Sequence, residues 1–149
     1  SYLNSFLEQI PIPNIENAEI ITASKCAEAL IKDSISLNKK FIKYLADKFK
    51  IQKFSNKLQD WHDLNFGKFI KELNKAIKAT NKERAKENLE LVPELSKKDE
   101  FEWMELFEEN KKKAQELHAQ IATTEKEIDQ IVYELYELTE EEIRIVEAS

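Results

Sequence analysis

The sequence predicts an all-α protein: a long antiparallel helical hairpin, coiled-coil-like, with a small helical subdomain at its tip. One glycine and three prolines among 149 residues are too few turn-formers for a strand-rich fold. Hydrophobic residues at 42% argue against wholesale disorder, even though 35% of the chain is charged. Two long stretches also carry apolar residues at alternating spacings of three and four, the pattern of a helix-to-helix seam.

Residues 1–16 read as an extended opening segment, because Pro11 and Pro13 bar helix among Phe6, Leu7, Ile10 and Ile12. Asn14 or Asn17 offers an N-cap to the first long helix, expected over 17–52. Its seam runs Ile20, Ala23, Ala27, Leu30, Ser34, Leu37, Phe41, Tyr44, Lys48, Ile51. A second row of Ile31, Ile35, Ile42, Leu45 and Phe49 widens the stripe, so the far half of this helix should bury more than one neighbour.

Residues 53–95 form the expected basic tip and loop. Ser55 can cap a short helix reaching Trp61, and Asn65 another carrying Phe66, Phe69, Ile70, Leu73 and Ile77. The polar stretch "TNKERAKENLELVPEL" (80–95), broken by Pro93, reads as a connecting loop. A return helix is expected over 96–138, with Ser96 and Asp99 as a capping box. Its seam is Trp103, Phe107, Asn110, Ala114, Leu117, Ile121, Thr124, Ile128, Ile131, Leu135, Leu138. Thr124 with Glu127 repeats the capping pattern in mid-run, which predicts a kink or short break near Thr123. Residues 139–149 form a short docking helix, with Thr139 and Glu142 as its capping box.

Net charge is −6, but it is unevenly placed. Residues 38–86 hold 14 Lys or Arg against 5 Asp or Glu, and the acidic excess falls on the return helix and tail. Such asymmetry suggests a surface that meets a polyanion. Lys39, Lys43, Lys50, Lys53, Lys57, Lys68, Lys71, Lys75 and Lys78 recur at intervals that make rows on helix faces, and rows of lysine suit phosphates. A solvated face with no partner is the competing reading. Arg84 is the one guanidinium in the region, which favours backbone contact over base-edge reading. The pairs Trp61 with Phe66 and Trp103 with Phe107 lie on apolar faces and are expected in the core rather than as base-stacking platforms.

Catalytic and metal chemistry is not expected. His62 and His118 are far apart in sequence, without Cys or His at ligand spacing, and "DWHD" (60–63) points its side chains different ways on a helix. A glycine-rich phosphate loop cannot be built on Gly67 alone. Cys26, the only cysteine, is expected to pack and cannot form an intramolecular disulfide, so a cytoplasmic setting is the default. No apolar run approaches the roughly 20 residues of a membrane span, so no membrane partner is expected.

Four separated blocks, "FLEQIPIP" (6–13), "LQDWHDLNFGKFIKEL" (58–73), "EWMELFEENKKKAQEL" (102–117) and "EIDQIVYELYELTEEEIRIVE" (127–147), carry a resemblance. Together they resemble, in order, the C-terminal region of type IIG/IIS restriction–modification enzymes. Those are large single chains with an N6-adenine DNA methyltransferase core and a TaqI-like C-terminal specificity domain. The resemblance covers nearly the whole chain except about 80–95. It implies a non-catalytic piece of a longer protein, a DNA-recognition-associated helical module that positions the specificity domain and touches DNA backbone weakly. S-adenosylmethionine, Mg and the methyltransferase and endonuclease chemistry would belong to the parent, whose Asn-Pro-Pro-Tyr motif is absent here. The tail, through Tyr133, Tyr136, Ile143, Ile145 and Val146, would dock on the rest of that enzyme, or join two copies of the isolated piece. One departure is Glu137, where the family usually has a glycine that ends the helix in the left-handed conformation. The alternative to the whole reading is a structural helical spacer or dimerisation module.

Overall fold

A computed structural model describes residues 18–136 and 140–148. The opening segment with its Asn14 and Asn17 caps, the Glu137 position, Leu138 and the Thr139 cap lie outside the described residues. Within them the fold is all-α, with five helices and no strand: α1 (Ala18–Phe49), α2 (Asn56–Gln59), α3 (Phe66–Lys86), α4 (Lys97–Leu135) and α5 (Glu140–Ala148). A single 3-10 turn, Trp61–Asp63, lies between α2 and α3.

Three helix starts follow from side chains that were legible in the sequence. Ser55 Oγ accepts from the Leu58 N–H at 3.1 Å, and Asn65 Oδ1 accepts from the Lys68 N–H at 2.8 Å. Ahead of α4 the capping box is reciprocal: the Asp99 N–H donates to Ser96 Oγ at 3.1 Å and the Ser96 N–H to Asp99 Oδ2 at 3.0 Å. The hydrogen bonds from Ser96 hold the Asp99 carboxyl below the usual carboxylate range.

The chain forms two compact units, one spanning Asp33–His118 and the other drawn from residues up to Lys32 and from Ala119 onward. In the Asp33–His118 unit the included lengths of α1 and α4 run antiparallel. Tyr44 and Phe49 meet Trp103 at ring separations of 5.9 and 5.8 Å, while Ser34 and Asn38 share a cavity wall with Ala114 and His118. Between the helices sits an aromatic core. Trp61, fully buried, stacks on Phe41 at 4.1 Å, and Phe69 stacks on Phe107 at 4.4 Å. Phe69 also touches Phe41 and Trp103, so α3 is held against both long helices. Lys111 Nζ donates to the Leu64 carbonyl at 2.7 Å, fastening the exit of the 3-10 turn to α4.

The core face of α1 departs from the strict heptad. Tyr44 and Lys48, expected in the seam, are exposed, whereas the flanking Leu45 and Phe49 are buried. A straight α-helix drifts by about 20° per heptad relative to a 3.5-residue repeat, and after Phe41 the buried positions advance by four, to Leu45 and Phe49. Drift of the same sense in α4 buries Val132 and leaves Leu135 40% exposed. Cys26, expected to pack, is exposed, and its neighbour Ala27 takes the buried position.

Two expected breaks are absent, for local reasons. The stretch from Thr80 is not all loop, because α3 continues to Lys86 and ends in a Schellman motif. Asn88 takes the left-handed conformation (φ 56°), with the Leu89 N–H donating to the Arg84 carbonyl and the Asn88 N–H to that of Ala85. Asn81 then pins the following loop at two points, accepting from the Val92 N–H at 2.7 Å and donating to the Val92 carbonyl at 2.8 Å. Near Thr123 the helix is unbroken. The Thr123 and Thr124 hydroxyls donate back to the carbonyls of Ala119 and Gln120 instead of capping a new helix.

In the other unit Ala27, Thr124, Val132, Tyr133 and Val146 are buried.

The altered register in α1 has a direct consequence for stability. Phe49→Ala should lower the free energy of unfolding by about 3–5 kcal/mol, as for buried aromatic truncations elsewhere, and Tyr44→Ala by about 1 kcal/mol or less. Urea titrations of the two variants check this, and equal losses would restore the heptad register.

Candidate nucleic-acid interface

All nine lysines singled out by the sequence are exposed, but they do not form one surface. Four of them, Lys68, Lys71, Lys75 and Lys78, stand in a single row on α3. At 100° per residue they and Lys82 fall within an arc of about 80° and span about 21 Å along the axis. The opposite face of α3 carries the buried Phe69, Ile70, Leu73 and Ile77. The amphipathic pattern that buries one side therefore fixes the lysines on the other.

Acidic groups on α3 do not cancel this row. Glu72 is nearly buried, accepts from the Ser55 hydroxyl at 3.4 Å and pairs with Lys75 at 3.6 Å. Glu83 is taken up by Lys86 at 3.3 Å. Lys68, Lys71, Lys78 and Lys82 make no ion pair among the described residues. Lys82 was not singled out from the sequence, although its spacing of four from Lys78 was the signal.

Lys50 and Lys53 join the end of this row. They line a cavity of ≈ 420 Å³ with Lys82 and Arg84, alongside Glu83 and Glu87. Lys50 is placed there by its left-handed conformation (φ 56°), which closes α1 and turns the chain toward Lys53. Arg84 is held by its Nε–H, which donates to the Glu90 carbonyl at 2.6 Å, leaving the rest of the guanidinium for other partners. Lys39 lies elsewhere, lining a separate cavity with His62 and His118. Lys43 and Lys57 share neither cavity.

The aromatic pairs are core, as expected. Trp61, Trp103 and Phe107 are buried and Phe66 is half-buried against them, so none presents a face for a base. Among the described residues no group of three or more His, Cys, Asp or Glu is arranged to hold a metal. No described helix is long and apolar enough to cross a membrane.

The candidate docking residues of the tail are partly covered by the chain itself. Tyr133 is buried and its hydroxyl donates to Glu147 Oε1 at 3.4 Å, which ties α5 to the end of α4. Val146 is also buried, Ile143 and Tyr136 are half-buried, and Ile145 is 59% exposed. The Tyr136 hydroxyl is buried without a hydrogen-bond partner among the described residues.

A family model described as a domain of unknown function (DUF8810) matches residues 13–132. The chain belongs to this family. No curated protein and no solved structure matches it. The matched range takes in the whole Asp33–His118 unit, and with it the α3 lysine row and the cavity shared by Lys50 and Arg84.

The α4–α5 junction carries the clearest titration effect. Burial, with Glu125 and Glu147 nearby, raises the Asp129 carboxyl above its ordinary value, and burial, with Asp129 and Glu147 nearby, raises the Tyr133 hydroxyl. A carboxyl whose folded pKa is raised binds its proton more tightly when folded. Its ionised form therefore costs stability at neutral pH, and that cost disappears as pH falls below the ordinary carboxylate range. Asp129→Asn should accordingly melt higher than the parent chain at pH 7. The gap should close toward about pH 4, near the ordinary carboxylate values, as thermal melts at the two pH values would record.

Proposed function

We propose that this chain is a non-catalytic DNA-backbone-binding module, the C-terminal helical part of a restriction–modification DNA methyltransferase/endonuclease. The observation that carries the binding role is the α3 row. Four lysines without ion partners among the described residues and a fifth, Lys75, stand opposite the buried face, and Lys50, Lys53 and Arg84 extend the positive surface at one end. Lysines in a row present point charges at the spacing of a helix face, which suits successive phosphates and reads no sequence. The place in a restriction–modification enzyme rests on the four sequence blocks that resemble that family. In such a parent, S-adenosylmethionine, Mg and the methylation and cleavage chemistry would lie outside this chain. Its setting would be cytoplasmic.

A second reading, a structural spacer or interaction module, is favoured by one feature. Tyr44 and Leu106 remain exposed beside Phe49, Trp103 and Leu95 in a groove of ≈ 400 Å³. A protein surface, whether the remainder of a parent enzyme or a second copy of this chain, would cover such side chains.

Duplex DNA binding separates the two. Fluorescence anisotropy across a salt series should give weak, sequence-indifferent binding, with log affinity falling by about 0.9 per contacted phosphate for each unit of log salt. Reversing Lys68, Lys71, Lys75 and Lys78 to Glu should remove most binding and flatten the slope. The matched control is reversal of Lys97, Lys98, Lys112 and Lys113, all exposed on the acidic helix α4. Lys111 is unsuitable as a control because it holds the Leu64 carbonyl. Equal loss from both sets, or no salt-dependent binding in the parent chain, would leave the spacer reading in place.

A further inference from the structure

The sequence separates His62 and His118, yet the fold brings their rings to a centroid separation of 4.8 Å at an interplanar angle of 72°. His62 belongs to the 3-10 turn and His118 to α4, so the contact exists because Trp61, next in the chain, is locked into the aromatic core. Both rings line a cavity of ≈ 190 Å³ with Asn38, Ser34, Lys39 and Trp61. Two of these residues carry a buried polar atom without a hydrogen-bond partner among the described residues, Asn38 Oδ1 and Trp61 Nε1.

We propose that His62 and His118 form a binding site for a divalent transition-metal ion of the zinc class, with Asn38 Oδ1 as a third protein donor. The first argument is distance. With a metal–nitrogen bond of about 2.1 Å, each ring centroid lies about 3.2 Å from the ion, so two imidazoles at ligand angles of about 90–110° stand about 4.5–5.2 Å apart. The observed separation falls inside that interval. The second is orientation. Asp63 Oδ1 lies 3.2 Å from His62 Nδ1, so the carboxylate favours a proton on that nitrogen and a lone pair on Nε2, the preference an outer carboxylate gives a metal-bound histidine. The third is the unpartnered Asn38 oxygen, an acceptor that a cation satisfies. The buried Trp61 N–H can in turn donate to a water or hydroxide that completes the coordination.

The donor set also defines the ion. Two imidazoles and one amide oxygen suit zinc, nickel, cobalt or copper, and serve magnesium poorly because it prefers oxygen ligands and holds its waters. Lys39 lines the same cavity and opposes a cation, while Asp63 favours it. The site should therefore be labile and exchangeable.

Calorimetric titration of zinc chloride into the full chain tests this. Expected is saturable uptake of one equivalent, no uptake of magnesium, and a rise in melting temperature with zinc. His118→Ala, at an exposed position, should leave the circular dichroism spectrum unchanged and abolish both the uptake and the melting shift. Asp63→Asn should weaken binding by about ten-fold or more, and Lys39→Met should tighten it. Absence of saturable uptake, or uptake unchanged in His118→Ala, overturns the proposal. Affinity in Asp63→Asn equal to that of the parent chain removes His62 as an oriented ligand and overturns it equally.

Discussion

The packing of Trp61 and Phe69 between the two long helices is the constraint on which the Asp33–His118 unit depends. Trp61 comes from a three-residue 3-10 turn, an element with almost no stability of its own. It is held because its ring stacks on Phe41 and meets Phe107 edge-on at 6.3 Å. Phe69 does the same for α3, stacking on Phe107 and touching Phe41 and Trp103. Buried aromatic rings combine large apolar area with defined geometry, so a few of them fix the turn and α3 in one arrangement.

Both candidate sites follow from that packing. Once Phe69, Leu73 and Ile77 are committed to the core, the 3.6-residue period leaves Lys68, Lys71, Lys75, Lys78 and Lys82 no place but the outer face. Once Trp61 is locked, His62 is carried against His118, and a buried N–H is left beside a cavity. The left-handed residue Lys50 has a similar effect, because the turn it closes sets Lys53 beside the end of α3.

What could be read in the sequence was local or periodic. Ser55, Asn65 and Ser96 were legible as caps because a cap needs only its own side chain and the next three residues. The all-α class and the lysine row were legible because both depend on spacing within one helix. The register of α1 beyond Phe41 was not. Which of Tyr44 and Leu45 faces inward depends on helix drift and on what α3 and the 3-10 turn bring to that side. The end of α3 was missed because polar residues from Thr80 outweighed Asn88, a residue suited to the left-handed stop. Thr123 and Thr124 do not break α4, because a hydroxyl that can cap a helix can equally bond back to the preceding turn. The His62–His118 pair left no sequence trace, since only tertiary packing brings the two rings together.

The proposed display of the α3 lysines by the aromatic core as a DNA-backbone surface is open to amide-resolved NMR. On titration with a short duplex at low salt, shifts should concentrate along Lys68, Lys71, Lys75, Lys78 and Lys82 and reach Lys50, Lys53 and Arg84. The amides of Lys112 and Lys113 and of the buried Trp61 and Phe107 should stay unperturbed. Shifts centred on the acidic α4 face, spread through the core, or absent at saturating duplex would contradict it.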